Sequence, residues 1–213
     1  MISERKNIQP EELPELGFRL ADELSHSDLT PFLMQYVHRR GLYIWVWIAA
    51  IAANVFLLVA FVAWHLAKGT ADFDTLAKAV VPAMFLLVAL IPLHEWLHGL
   101  AYQWAGAPKV SYIVNWKKLY VAALADRFVI GRRQFYIVAL TPFTVVSALL
   151  LIASTLIGEP FWQFNLLISF LLHTLSCLGD FAMINYMQLR QEKEAVTYDD
   201  NEKGMSYFWV KDE

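Results

Sequence analysis

Ile91-Pro-Leu-His-Glu-Trp-Leu-His-Gly-Leu100 sets two histidines and a glutamate inside an apolar run. Ionisable groups in a membrane-type segment are costly and mark function by default. On a helix, His94 and His98 stand four apart and project from one face, about 40° from each other. Two imidazoles so placed can share one tetrahedral Zn2+, and Glu95 between them can reach a coordinated water as general base. The plain alternative is a hydrogen-bonded histidine pair in a helical bundle, which leaves Glu95 without a reason to be there.

Outward from this stretch, the chain of 213 residues is 58% hydrophobic, with mean hydropathy +0.42. A soluble chain of this length sits nearer half apolar. The excess is gathered into four blocks, at about 43–64, 79–103, 135–157 and 161–187, each longer than the roughly 20 residues needed to cross a bilayer as a helix. The fold class expected is therefore an all-α integral membrane protein of four transmembrane helices, with a short cytosolic β-hairpin and polar cytosolic termini. Its organisation is a cytosolic N-terminal segment over 1–42, a membrane domain over 43–189 and a cytosolic tail over 190–213. Net charge is −3, which gives no basis for a nucleic-acid partner, and the single Cys177 excludes an intrachain disulfide framework.

Orientation follows from the basic residues. Arg39 and Arg40 precede the first span. Lys109, Lys117, Lys118, Arg127, Arg132 and Arg133 crowd the connection between spans two and three, and Arg190 and Lys193 follow span four. The other two connections hold only Lys68 and Lys78 between them. The positive-inside rule then puts both termini in the cytosol after four crossings. The first forty residues hold no apolar run of signal-peptide length, so the first span is expected to act as the insertion signal.

Leu29, Phe32, Leu33, Tyr36 and Val37 recur at helical spacing ahead of His38-Arg-Arg40, the pattern of an interfacial helix leading into span one. Val110–Val114 and Leu119–Ala123 flank Asn115-Trp-Lys-Lys118 and read as a β-hairpin. Met205–Val210 reads as a further short strand, available to pair with it.

A catalytic zinc needs a third protein ligand and an open position. Histidine aside, the only formally charged residues inside the spans are Glu95 in span two and Asp180 in span four. Both spans run from outside to inside. His94 and Asp180 each lie eight or nine residues before the cytosolic end, roughly 12–14 Å below it at helical rise. Sites at one depth on two helices can meet, and Zn2+ between Asp180 and Glu95 brings the local charge sum near zero. The alternative for Asp180 is a protonated or water-lined structural aspartate.

His173, seven residues before Asp180, faces nearly the same way on a continuous helix. It is a candidate to donate to a developing oxyanion, to replace Asp180 as ligand, or to be an ordinary bonded interior histidine. Ser176 is expected to satisfy a backbone carbonyl, and Asn165 and Asn185 to bond between helices. Cys177 is either a thiolate ligand or a small buried apolar group. Pro92 and Pro142 remove backbone hydrogen bonds within spans two and three, and either kink them or open a water path.

His94-Glu-Trp-Leu-His-Gly99, Gly131-Arg-Arg-Gln-Phe135, Leu140-Thr-Pro-Phe143 and Leu178-Gly-Asp180, in this order, resemble the putative zincin peptidases of domain of unknown function 3267. The resemblance runs over about 87–210. That family is similar to the site-2 protease clan of intramembrane metalloproteases. The resemblance implies His94 and His98 as zinc ligands, Asp180 as the third, and Glu95 as general base. One departure is that Gly179 precedes Asp180 and no upstream Asn-x-x-Pro is present, which leaves His173 as the candidate oxyanion donor. The expectation is a zinc metalloprotease hydrolysing a membrane-spanning or juxtamembrane protein or peptide within the lipid bilayer. The rivals are a proteolytically inactive membrane metalloprotein and a metal or proton transporter. Loss of function on Glu95→Gln separates the first from the second, and metal flux surviving it marks the third.

Overall fold

The computed structural model describes residues 8–39, 41–115, 120–190, 192 and 194–212. Arg40, Trp116, Lys117, Lys118, Leu119 and Lys193, used above for orientation and for the hairpin, lie outside the described residues.

In chain order the elements are β1 (Arg19–Ser25), α1 (Leu29–His38), α2 (Leu42–Lys68), α3 (Phe73–Ala105), β2 (Ser111–Asn115), β3 (Tyr120–Leu124), β4 (Ile130–Gly131), α4 (Arg132–Leu156), α5 (Pro160–Ser176), α6 (Leu178–Leu189), β5 (Glu194–Asp200) and β6 (Met205–Lys211). Among the described residues, four helical stretches are long and apolar enough to cross a membrane: α2, α3, α4, and α5 with α6 taken together. Their ends carry ordinary stop and start chemistry. Gly69 (φ 65°) and Gly106 (φ 105°) close α2 and α3 in the left-handed region, where a side chain would be strained. Asp72 opens α3 by accepting a hydrogen bond from the Thr75 amide at 2.8 Å.

Helices α3, α4 and α5 pack on one another, and α2 leans on α5 and α6. Small residues let α3 and α5 approach closely. Ala79 and Ala83 are fully buried, and their carbonyls accept from Asn165 Nδ2 (3.2 Å) and Ser169 Oγ (3.5 Å). Asn185 Nδ2 donates to the carbonyls of Tyr36 and Arg39, tying the end of α1 to α6. Both asparagines thus bond between helices, and Ser176 Oγ donates to the His173 carbonyl.

The structure departs from several expectations. The fold is mostly helical but not all-α: β1, β6, β5 and β4 form a four-stranded antiparallel sheet, apart from the β2–β3 hairpin. The tail strand β6 pairs with β1 and β5 rather than with the hairpin. This sheet draws residues 19–25 and 205–211 together. β1 reads Arg-Leu-Ala-Asp-Glu-Leu-Ser, a composition without β-branched or aromatic residues, and its strand state comes from pairing with β6 rather than from propensity.

Helix α1 forms where the spacing predicts, but its apolar side meets protein. Phe32 and Tyr36 pack on Tyr186 of α6 (ring centroids 5.1 and 4.7 Å), and Phe32 stacks on Phe208 of β6 at 6.1 Å. The fourth span is not one helix either. Cys177 (φ −73°, ψ 6°) breaks it between α5 and α6, one turn before Asp180.

Candidate metal centre

The break at Cys177 puts Asp180 in the first turn of α6, facing the C-terminal half of α3. There His94 Nε2 and His98 Nε2 are 3.2 Å apart. Each lies 3.3 Å from an oxygen of Asp180, His94 from Oδ2 and His98 from Oδ1. Atoms bound at 2.0–2.2 Å around a tetrahedral zinc stand roughly 3.3–3.5 Å apart, so the spacing fits that ion.

The chemistry of the donors fits as well. His98 Nδ1 is 3.0 Å from the Val138 carbonyl, which can only accept, so Nδ1 carries a proton and the neutral ring turns its Nε2 lone pair inward. Between a neutral His98 Nε2 and the Asp180 carboxylate, 3.3 Å apart, two acceptors face each other unless a cation, a metal ion or a proton on Nε2, lies between them. On His94, Nδ1 is 3.2 Å from His173 Nε2. With His94 Nε2 turned to the metal position, its Nδ1–H donates to His173. Each histidine is thus oriented from behind, as metal-ligating histidines generally are.

Glu95 is held by the hairpin. Its Oε2 accepts from the backbone N–H of Ala123 at 3.0 Å. One turn along α3, a Cβ on Gly99 would meet the Tyr112 hydroxyl, so glycine leaves room for that ring to lie against α3 as it does. Tyr112 and Ala123 are cross-strand partners. Glu95 and Gly99 therefore dock α3 onto a single rung of the hairpin. Because the Ala123 N–H points at α3, it points away from β2. By the alternation of an antiparallel ladder, Val121 also turns its backbone N–H and C=O to that outer edge.

His94, Glu95, His98 and Asp180 line one cavity of about 340 Å³, walled by α1, the hairpin, α4, α6 and the sheet. Its sheet side carries His26, Ser206 and Asp199. Ser206 Oγ donates to Asp199 Oδ1, and His26 Nε2 lies 3.2 Å from Ser206 Oγ. The sequence offers no sign of this trio, whose members are brought together only by the pairing of β1, β5 and β6. Val138 and Ala123 also escape sequence reading, because both act through the backbone.

His173 needs a correction. It is 1% exposed, behind His94, and is not among the cavity-lining residues. Of the three roles open to it, that position fits the bonded interior histidine, since an oxyanion donor would have to reach the cavity. His173 Nε2 also lies 3.8 Å from Cys177 Sγ, so His94, His173 and Cys177 form a second cluster of potential ligands on the far side of His94. That cluster does not open on the cavity, whereas a hydrolytic metal requires an accessible coordination position. The set His94, His98 and Asp180 meets this requirement.

A helical fold with membrane-length helices and a two-histidine, one-aspartate cluster beside a glutamate defines a candidate mononuclear metal protein. The chain belongs to the putative zincin peptidase family, whose model matches residues 87–196, just over half of the 213. The matched stretch runs from α3 to β5 and holds every member of the cluster. Zincin membership points to a metallopeptidase and implies zinc. No curated protein and no solved structure matches the chain.

Proposed function

We propose that this chain is an integral membrane zinc metallopeptidase of the site-2 protease type, hydrolysing peptide bonds of membrane-spanning or juxtamembrane proteins. The observation that carries this reading is the mutual 3.2–3.3 Å spacing of His94 Nε2, His98 Nε2 and the Asp180 oxygens, with Glu95 on the same cavity. Membrane insertion is supported by large apolar side chains left outside the bundle, among them Phe56, Phe85 and Leu156, each more than 70% exposed. Such a surface is stable facing lipid and not facing water. The basic residues around the sheet end of the bundle favour that end, with both termini, in the cytosol.

His94, His98 and Asp180 hold the zinc, and the hydrogen bonds to Val138 and His173 orient the two imidazoles. A zinc ion bound there supplies Lewis acidity to the scissile carbonyl and to the attacking water. Glu95 takes the proton of that water on its carboxylate and delivers it to the leaving amine nitrogen. The hairpin fixes where this carboxylate sits. The outer edge of β3 also offers backbone groups to an extended substrate, which can add there as a strand. A helical substrate must first unwind, because a helix buries its carbonyls in its own hydrogen bonds.

The test is zinc content and cleavage of a reporter membrane peptide in proteoliposomes. Wild type and Glu95→Gln should both retain zinc, with cleavage abolished in the latter. His98→Ala and Asp180→Ala should lose zinc. Full zinc in Asp180→Ala would return the third-ligand role to His173 or Cys177, and cleavage that survives Glu95→Gln would overturn the peptidase reading.

A further inference from the structure

Helix α4 runs without interruption from Arg132 to Leu156 although Pro142 lies in its interior. In an α-helix the N–H of each residue bonds the carbonyl four residues before it. Proline has no N–H, so Pro142 leaves one carbonyl without its helical donor, and that carbonyl belongs to Val138. Val138 is 3% exposed and Pro142 is buried, so bulk water is not at hand to replace the missing bond. The group that does replace it is His98 Nδ1, at 3.0 Å, reaching across from α3.

We propose that Pro142 is a positioning residue for His98. By withholding one backbone proton from α4, it reserves the Val138 carbonyl for the imidazole, and so selects the tautomer whose Nε2 lone pair faces His94 and Asp180. The proposal rests on the reading of His98 as a metal ligand through Nε2. It also gives the proline within span three a purpose other than a kink or a water path. An ordinary residue at 142 would return an N–H to the helix axis, aimed at the same carbonyl. His98 would then compete for its acceptor, and its two tautomers would draw closer in population. Losing the hydrogen-bond partner behind a ligand histidine typically lowers metal affinity about 10- to 100-fold.

The experiment uses the full chain in lipid nanodiscs, labelled with 15N-histidine. Pro142→Ala should broaden or shift the His98 ring resonances away from a pure Nδ1–H form and weaken zinc binding, measured by competition with a chelator, about 10- to 100-fold. Replacing Pro142 by lactic acid, the α-hydroxy analogue of alanine, removes both the ring and the N–H, and should keep the wild-type tautomer and affinity. Pro82→Ala makes the same chemical change elsewhere in a helix and should alter neither. A single unchanged Nδ1–H tautomer and unchanged zinc affinity in Pro142→Ala overturn the proposal. So does a lactate variant that behaves like Pro142→Ala, since the ring and not the missing proton would then be responsible. Should Pro142→Ala fail to fold, wild type alone decides: a hydrogen-bond coupling between His98 Nδ1 and the Val138 carbonyl carbon is expected, and an Nε2–H tautomer overturns the idea. These ring measurements need no catalysis, so absence of peptidase activity leaves them readable and speaks only against the function proposed above.

Discussion

Glu95 Oε2 accepts a hydrogen bond from the backbone N–H of Ala123 at 3.0 Å, across 28 residues of chain. The carboxylate between the two candidate ligand histidines is therefore placed by a strand, not by its own helix alone. Ala123→Pro removes this donor and spares the ladder to β2, because the N–H points to the outer edge, where proline is tolerated. We expect zinc content to hold and the cleavage rate to fall about tenfold, equivalent to about 1.4 kcal/mol on the barrier. An unchanged rate would show that the hairpin does not set the base.

Gly99 tests the same contact from the other side. Gly99→Ala sets a methyl group against the Tyr112 hydroxyl, and if the ring is held there the rung that it shares with Ala123 must shift from α3. Cleavage should drop. Adding Tyr112→Ala makes room for the methyl group and should recover most of the loss. A double variant no better than the single one would mean that the close approach at Gly99 serves something other than the docking of β2.

The sheet end depends on a ring cluster. Phe208 is 2% exposed and packs on Tyr186 (4.7 Å) and Phe32 (6.1 Å), joining β6 to α6 and α1. Phe208→Ala is expected to cost about 3–5 kcal/mol in the stability of this unit. It should also loosen the wall that carries Ser206 and Asp199. Chemical denaturation followed by the near-ultraviolet signal of the cluster checks the size, and a change below about 1 kcal/mol would rule out a core role for the ring.

Asp200, at the turn between β5 and β6, accepts from the Lys203 amide at 3.0 Å and pairs with its ammonium at 3.4 Å. The Lys203 N–H holds the Asp200 carboxyl below the usual carboxylate range; burial opposes this, and the Lys203 side chain adds to the lowering. A depressed carboxylate protonates first in the unfolded chain. Its stabilising contribution is therefore complete above about pH 4, and is lost as pH falls through the lower folded value. Asp200→Asn should lower stability at neutral pH and flatten the decline between about pH 4 and pH 2. Denaturation midpoints compared across that range measure it, and equal slopes in both proteins would contradict it.

Much of this protein is legible residue by residue. The four apolar stretches appear within a few residues of where hydropathy and length put them, because a run of Leu, Val, Ala and Phe needs no partner to be read as a helix. The hairpin is marked by β-branched and aromatic residues on both arms. His94 and His98 have to share a face once α3 is a helix, and Asp180 stands out as the other formal charge in the spans. The site ceases to be legible where it uses backbone. Val138 and Ala123 carry no side-chain chemistry, and only the approach of a second element gives their carbonyl and amide a role. For His173 the sequence leaves three readings open, and only the packing of α5 behind His94, which buries the ring away from the cavity, favours the interior one.

Sequence alone determined the membrane-length helices, the two histidines and glutamate on one turn-to-turn face, and membership of the zincin family. These rest on local periodicity and on residue identity. Tertiary structure alone decided that segments 19–25 and 205–211 join in one sheet, that Asp180 turns its carboxylate to both imidazoles, and that a proline in α4 leaves a carbonyl for a histidine in α3. Hydrogen bonds between distant segments depend on direction and on a few tenths of an ångström, and neither is set until the helices have packed.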